Sequence, residues 1–237
     1  MDSANTFVLF GQAHWATLLL IAAVSAGLPL WAHRTLAHKA QYRLGAGIAA
    51  LLIGQEILDV GLRALYGWPW SELLPLHLCG LAVFLTAWVL IGRSYRVYEV
   101  VYFWAWGGTL QALLTPDLAV GFPAPEYLAF FAGHGLVILG ILYATLVYRY
   151  RPWPKSILRS LVALLAVAAV VAPINLWLDT NYLFLSEKPS QASLMDYLGP
   201  WPWYILGLAA LGVFSCLLYY SPFFIRDVFV RHSQKAA

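Results

Sequence analysis

Mostly apolar runs recur along the chain at about 14–32, 44–66, 73–91, 96–114, 127–148, 157–178 and 201–220. Each comes close to the roughly 20 residues a helix needs to cross the hydrocarbon slab of a bilayer. Short connections rich in charge, proline or aromatic residues separate them. The pattern predicts an all-α fold: a polytopic membrane bundle of seven transmembrane helices. No internal repeat or shift in composition breaks it, so residues 1–237 read as a single integral membrane domain.

Composition agrees. The chain is 62% hydrophobic and only 11% charged, with 11 Trp, 14 Tyr and 12 Phe. That is too little polar surface to cover a water-soluble globule of 237 residues. The net charge of +3 matters less than its placement. Arg34, Lys39 and Arg43 lie in the first connection, Arg93 and Arg96 in the third, and Arg149, Arg151, Lys155 and Arg159 in the fifth. Arg226, Arg231 and Lys235 lie in the tail. Asp2, Glu72, Asp117, Glu126, Asp179, Glu187 and Asp196 fall on the other side, where Lys188 is the lone loop cation. Basic loops stay in the cytoplasm, so the N-terminus is expected outside and the C-terminus inside. The expected location is the plasma (cytoplasmic) membrane, multi-pass. No basic n-region precedes the first apolar run, so no cleavable signal peptide is expected. Zinc-ligand runs, phosphate loops and nucleic-acid motifs are missing from the sequence, so no cofactor and no nucleic-acid partner are expected.

The second run interrupts its apolar pattern with Gln55, Glu56, Asp59 and Arg63. At 100° per residue these four share an arc of about 100°. Ionisable groups at membrane depth must face protein or water, which marks the stripe as a candidate site. An Asp59–Arg63 pair four residues apart is the purely structural alternative. Other helices bring polar groups to a similar depth below the outer end: His77 and Cys79, Gln111, His134 and Asn175. Together they predict a polar cavity opening outward, with Asn181 and Tyr182 of the long outer loop counted among its substrate contacts. Glu99 is the main inner polar group, expected to pair with Arg93 or Arg96. His14 is expected at the headgroups, and His33 and His38 in solvent.

Within Leu73–Gly80 (LLPLHLCG), Pro75 suits a first helical turn. His77 and Cys79 would then diverge by about 200°, which makes His134 the better base for a Cys79 nucleophile. Gly133 and Gly135 flank His134 and allow close backbone approach. Cys79 as an inert small hydrophobe is the competing reading. His77, His134 and Asp59 could also supply three metal ligands, although no spacing argues for it.

LPLHLCG, QALLTPDL at Gln111–Leu118, FFAGH ending at His134, and NYLFLSEKP together resemble the bacterial YwaF-like integral membrane family, from about Leu44 to Tyr204. The chain is similar, more remotely, to the eukaryotic transmembrane protein 164 acyltransferase, which remodels ether phospholipids and depends on a membrane cysteine and histidine. The resemblance implies lipid acyl transfer or lipid ester hydrolysis, carried over to Cys79 and His134. Cys79 would attack, His134 would act as base, and His77 with Gln111 or Asn175 would stabilise the oxyanion. Glu56, Asp59 and Arg63 would hold a polar headgroup or orient a histidine, with Gln55 counted among the substrate contacts. The expected partners are the lipid bilayer and a phospholipid-like substrate. A non-enzymatic transporter or receptor, binding a polar solute in the same outer pocket, is the alternative.

Overall fold

The computed structural model describes residues 6–191 and 193–236, with side chains through Val230. Asp2 and the side chains of Arg231 and Lys235 lie outside that description. Among the described residues the chain is helical: α1 Gln12–Thr35, α2 His38–Leu65, α3 Leu78–Gly92, α4 Tyr95–Trp104, α5 Leu110–Leu114, α6 Pro125–Leu146, α7 Pro154–Leu178 and α8 Trp203–Ala236. A π-helical turn, Ala105–Thr109, joins α4 to α5, so the two form one rod and the bundle contains seven. Four helices (α1, α6, α7 and α8) are long and apolar enough to cross a membrane, and α3 is a shorter apolar helix.

α6 is the axis of the bundle, touching α1, α2, α3, α4 and α5. Over half of its apolar window is buried, against about a tenth for α7 and α8, which stand at the periphery. Small residues let the neighbours in. A Cβ on Gly133 would come within 2.7 Å of Gln55 Oε1 on α2, and one on Gly135 within 3.0 Å of Ile21 on α1. Both lie closer than side-chain atoms normally approach, so the glycines flanking His134 set the spacing of three helices.

The basic connections gather at one end. There, Arg93 lies over the rings of Tyr42 and Tyr148, at 4.8 and 5.3 Å. Arg151 holds Asp227 of α8 with two hydrogen bonds, at 2.8 and 2.6 Å. A helix leaves its last carbonyls unpaired, and α3 ends on Arg93 in a left-handed conformation without a glycine. Phenols fill the gap: Tyr148 donates to the Leu90 carbonyl at 3.0 Å and Tyr150 to that of Arg93 at 2.6 Å. This end is therefore far more polar inside than the sequence suggested. Glu99, 0% exposed, pairs with Arg159 of α7 and accepts from Ser156 Oγ at 2.5 Å, rather than pairing with Arg93 or Arg96. Arg159 comes from a helix distant in sequence, which local spacing could not reveal. His33 is partly covered and meets Arg149 at 3.4 Å, while His38 is exposed as expected.

At the opposite end the loops knit together. Asp117 accepts from Ser190 Oγ and the Gln191 N–H, both at 3.0 Å. His14 is not at a headgroup. It is 1% exposed, accepts from the Phe10 N–H at 2.9 Å and donates to the Leu113 carbonyl at 2.9 Å, tying α1 to α5.

Candidate functional site

The stripe on α2 points at α3 and α6. Asp59 and Arg63 form the i,i+4 pair, at 2.7 Å. The pair does not absorb the stripe. Gln55 donates to the Ala129 carbonyl on α6 at 2.8 Å, yet its Oε1 is buried without a partner. Arg63 reaches the Glu72 carbonyl at 3.4 Å and lies over Trp68, while its Nε is buried and unpartnered. Glu56 is half-buried, with charge coupling to Asp59, Arg63 and Cys79.

His134 on α6 stacks on Phe130, with centroids 4.1 Å apart, and its Nδ1 meets the Phe130 carbonyl at 2.7 Å. A carbonyl only accepts, so Nδ1 carries the proton and Nε2 of the neutral ring is left as the base. Asp59 is near enough to act on this ring electrostatically. Acid, imidazole and a fixed tautomer are the parts of a general base.

Cys79 sits elsewhere on its helix than the sequence implied. α3 starts at Leu78, not Leu73. Pro75 lies in the non-helical lead-in, and His77 is the N-cap, with extended φ and ψ of −67° and 150°. The 200° divergence therefore does not apply, and Cys79 is the second residue of the helix. No side chain caps this N-terminus. The first amide bonded within the turn is that of Leu81, donating to the His77 carbonyl at 3.1 Å. The N–H groups of Leu78, Cys79 and Gly80 are thus left over, where the helix dipole favours negative charge.

Against this turn packs the π-helical turn, defined by the Leu110 N–H bonding to the Ala105 carbonyl. A Cβ on Gly108 would fall 2.9 Å from Leu78 Cδ2, so glycine lets the Leu78 side chain lie against this turn. The turn ends on Thr109, 0% exposed, whose hydroxyl lies beside the Cys79 thiol. No regular hydrogen bond joins the two, and Thr109 Oγ1 is buried without a partner. π turns interrupt α-helices most often at functional sites. Thr109 was missed in the sequence; the Gly107–Gly108 pair inside an apolar run is the trace that could have found it. Cys79 is a half-buried free cysteine, and no hydrogen bond joins it to His77 or His134.

The remaining expected contacts divide. His77 lies under the loop after α7, its ring 5.0 Å from that of Tyr182 and 5.4 Å from that of Phe184, with Arg63 and Asp117 close enough to act on it. Asn175 is occupied: Nδ2 donates to the Tyr182 carbonyl at 2.9 Å, and Oδ1 accepts from the Tyr182 N–H at 2.9 Å and from Thr180 at 3.1 Å. Asn181 holds the Ser186–Glu187 backbone in the same way. Gln111 donates to Thr115 Oγ1 at 2.8 Å, within its own helix. The Tyr182 hydroxyl accepts from the Leu74 N–H at 3.1 Å and donates to the Ser71 carbonyl at 2.5 Å. These side chains build the roof and do not line the floor. Leu183 and Phe184 have φ of 60° and 53°, a strained turn for residues with side chains, and it bears on His77. Among the described residues no three His, Cys, Asp or Glu groups stand as a metal-ligand set, so His77, His134 and Asp59 are not gathered as one.

Tyr182→Phe is expected to leave the Leu74 amide and the Ser71 carbonyl unpaired at a cost of about 1–3 kcal/mol. Thermal unfolding in detergent would show it, together with faster proteolysis between residues 179 and 200.

The model of the TMEM164 family matches residues 9–220. A protein of Treponema pallidum (strain Nichols), described as an uncharacterized protein, is 29% identical over 223 residues, covering 92% of this chain and 91% of the relative. No solved structure matches the chain.

Proposed function

The chain belongs to the TMEM164 family, and on that premise we propose that it is a multi-pass plasma-membrane enzyme transferring or hydrolysing the acyl ester of a phospholipid. The observation that carries this reading is Cys79 in the uncapped first turn of α3, with the buried, unpartnered hydroxyl of Thr109 beside it. Its sequence resemblance to the YwaF-like bacterial proteins belongs to the same reading.

All seven rods cross the bilayer, with the N-terminus outside. The clustering of the basic connections at one end supports that end as cytoplasmic. α3 is the short member, 15 residues or about 22 Å of helix. Its N-terminus therefore falls short of the outer surface, and the non-helical lead-in lies at membrane depth. Irregular backbone is tolerated there only when protein satisfies it, as Tyr182 does for Leu74 and Ser71.

In the proposed reaction, His134 Nε2 takes the proton of Cys79 as Sγ attacks the acyl carbonyl carbon. The N–H groups of Leu78 and Cys79 receive the oxyanion. The ester C–O bond then breaks, and the leaving alcohol takes the proton from His134. A second alcohol or water attacks the thioester and restores the thiol. Substrate must draw Cys79 and His134 together, as catalytic hydrogen bonds often tighten only on binding. Asp59 steadies the imidazolium. Glu56 and Arg63 meet the headgroup, His77 and Gln111 border it, and Asn175, Asn181 and Tyr182 hold the roof.

The test is to incubate the purified protein with a phospholipid bearing a labelled acyl chain and look for a hydroxylamine-sensitive adduct. Label on Cys79, lost in His134→Ala, is the expected result. A protein that turns over lipid without any label at Cys79 overturns the mechanism, and no turnover at all favours a solute-binding protein. Thr109→Val should lower turnover about 10- to 100-fold, less than the roughly 10²–10³ lost with an oxyanion donor, because Thr109 contacts the thiol and not the oxyanion. Thr109→Ser, which keeps the hydroxyl, should recover most of it.

A further inference from the structure

A second feature lies away from the thiol, on the lipid-facing side. A cavity of about 510 Å³ opens between α7 and the start of α8, floored by Ala168 and Ala172 and walled by Leu185, Trp201, Trp203 and Leu206. Every one of these side chains is predominantly apolar. The two helices are both long enough to cross a membrane and lie mostly exposed, so the cleft faces hydrocarbon. Two alanines four apart leave α7 hollow on this side, where larger residues would fill the groove.

The cleft touches the proposed site through one turn. Leu185 on its wall follows Phe184, which contacts His77. Tyr204, between the lining residues Trp203 and Ile205, donates to the Phe184 carbonyl at 2.7 Å. A cation stands close by in the chain: Lys188, three positions after the lining Leu185, has its Nζ 5.7 Å from the centre of the Tyr204 ring. An apolar trough with a positive charge on the adjoining loop complements a hydrocarbon chain that ends in a phosphate.

We propose that this cleft binds one acyl chain of a phospholipid whose phosphate sits beside Lys188, and that it is the lateral way into the space beneath the Tyr182–Phe184 turn. The proposal rests on the lipid reading above. Its test does not need the chemistry to work.

The full chain, in the Cys79→Ala background, would be placed in phosphatidylcholine nanodiscs containing phosphatidylcholine with a diazirine in its acyl chain. After irradiation, cross-links should concentrate several-fold on Ala168, Ala172 and residues 201–206 over the more exposed Val170 and Trp177, which lie on the opposite side of α7. Ala172→Trp, and separately the milder Ala168→Leu, should remove that excess while leaving labelling elsewhere unchanged. Unlabelled phosphatidylcholine should compete better than diacylglycerol, and Lys188→Gln should abolish the difference. Even labelling over all exposed faces, or an excess untouched by both alanine substitutions, would overturn the cleft as a binding site. Equal competition in the native-lysine protein would overturn the phosphate contact. Failure of the thioester experiment with a positive cross-linking result would count against the chemistry alone.

Discussion

Cys79→Ala is expected to abolish acyl turnover, by at least about a thousandfold, while the protein still unfolds near its native temperature. The magnitude follows from what a covalent mechanism loses with its nucleophile: only binding and oxyanion stabilisation survive. Cys79 is a free cysteine that makes no regular hydrogen bond, and alanine keeps its Cβ, so removing one sulfur atom costs the fold little. His134→Gln should fall by about 10²–10⁴, the range for a general base, and the two changes together should cost little more than Cys79→Ala alone, because they act in one step. Turnover of a labelled phospholipid in nanodiscs measures all three. A Cys79→Ala protein with full turnover would leave the thiol as a small core residue.

The second large effect is on stability, at the other end of the bundle. Arg159→Ala should lower the unfolding free energy by roughly 2–4 kcal/mol, at or below the range for stranding one member of a buried pair. The reason is an asymmetry. Glu99 is 0% exposed whereas the Arg159 side chain is 49% exposed. Without the arginine, the carboxylate keeps Ser156 but has no counter-charge. Glu99→Gln removes the buried charge instead. Its amide can still meet Ser156, and Arg159 can turn to water, so that variant should cost clearly less. Thermal unfolding in one detergent would compare them; equal losses would mean that the pair acts through packing and not through charge.

Much of the bundle was legible because membrane helices are built under one dominant constraint. Apolar length marked the rods, and the basic loops proved to share an end. The α2 stripe was legible for the same reason, since Glu56, Asp59 and Arg63 stand out against a background of leucine and alanine. The π turn was not, because an i→i−5 bond has no periodicity of its own and only Gly107–Gly108 hinted at it. The late start of α3 escaped as well. Leu73 and Leu74 are as apolar as any helical residue, but their backbone is held in a turn by Tyr182, more than a hundred positions away.

The same division governs the chemistry. From the sequence alone came the membrane class, the helix count, the gathering of charge at one end and the candidates Cys79 and His134, all consequences of what lipid permits at each depth. Only the tertiary structure decided that Asn175, Asn181 and Tyr182 support a roof, that Glu99 belongs to Arg159, and that Thr109 stands beside the thiol at an uncapped helix start. Hydropathy is a property of each residue by itself, whereas a hydrogen-bond partner is chosen by which helices meet. Gly133 and Gly108 are two places where a missing side chain makes room for such a partner, Gln55 at the one and Leu78 at the other.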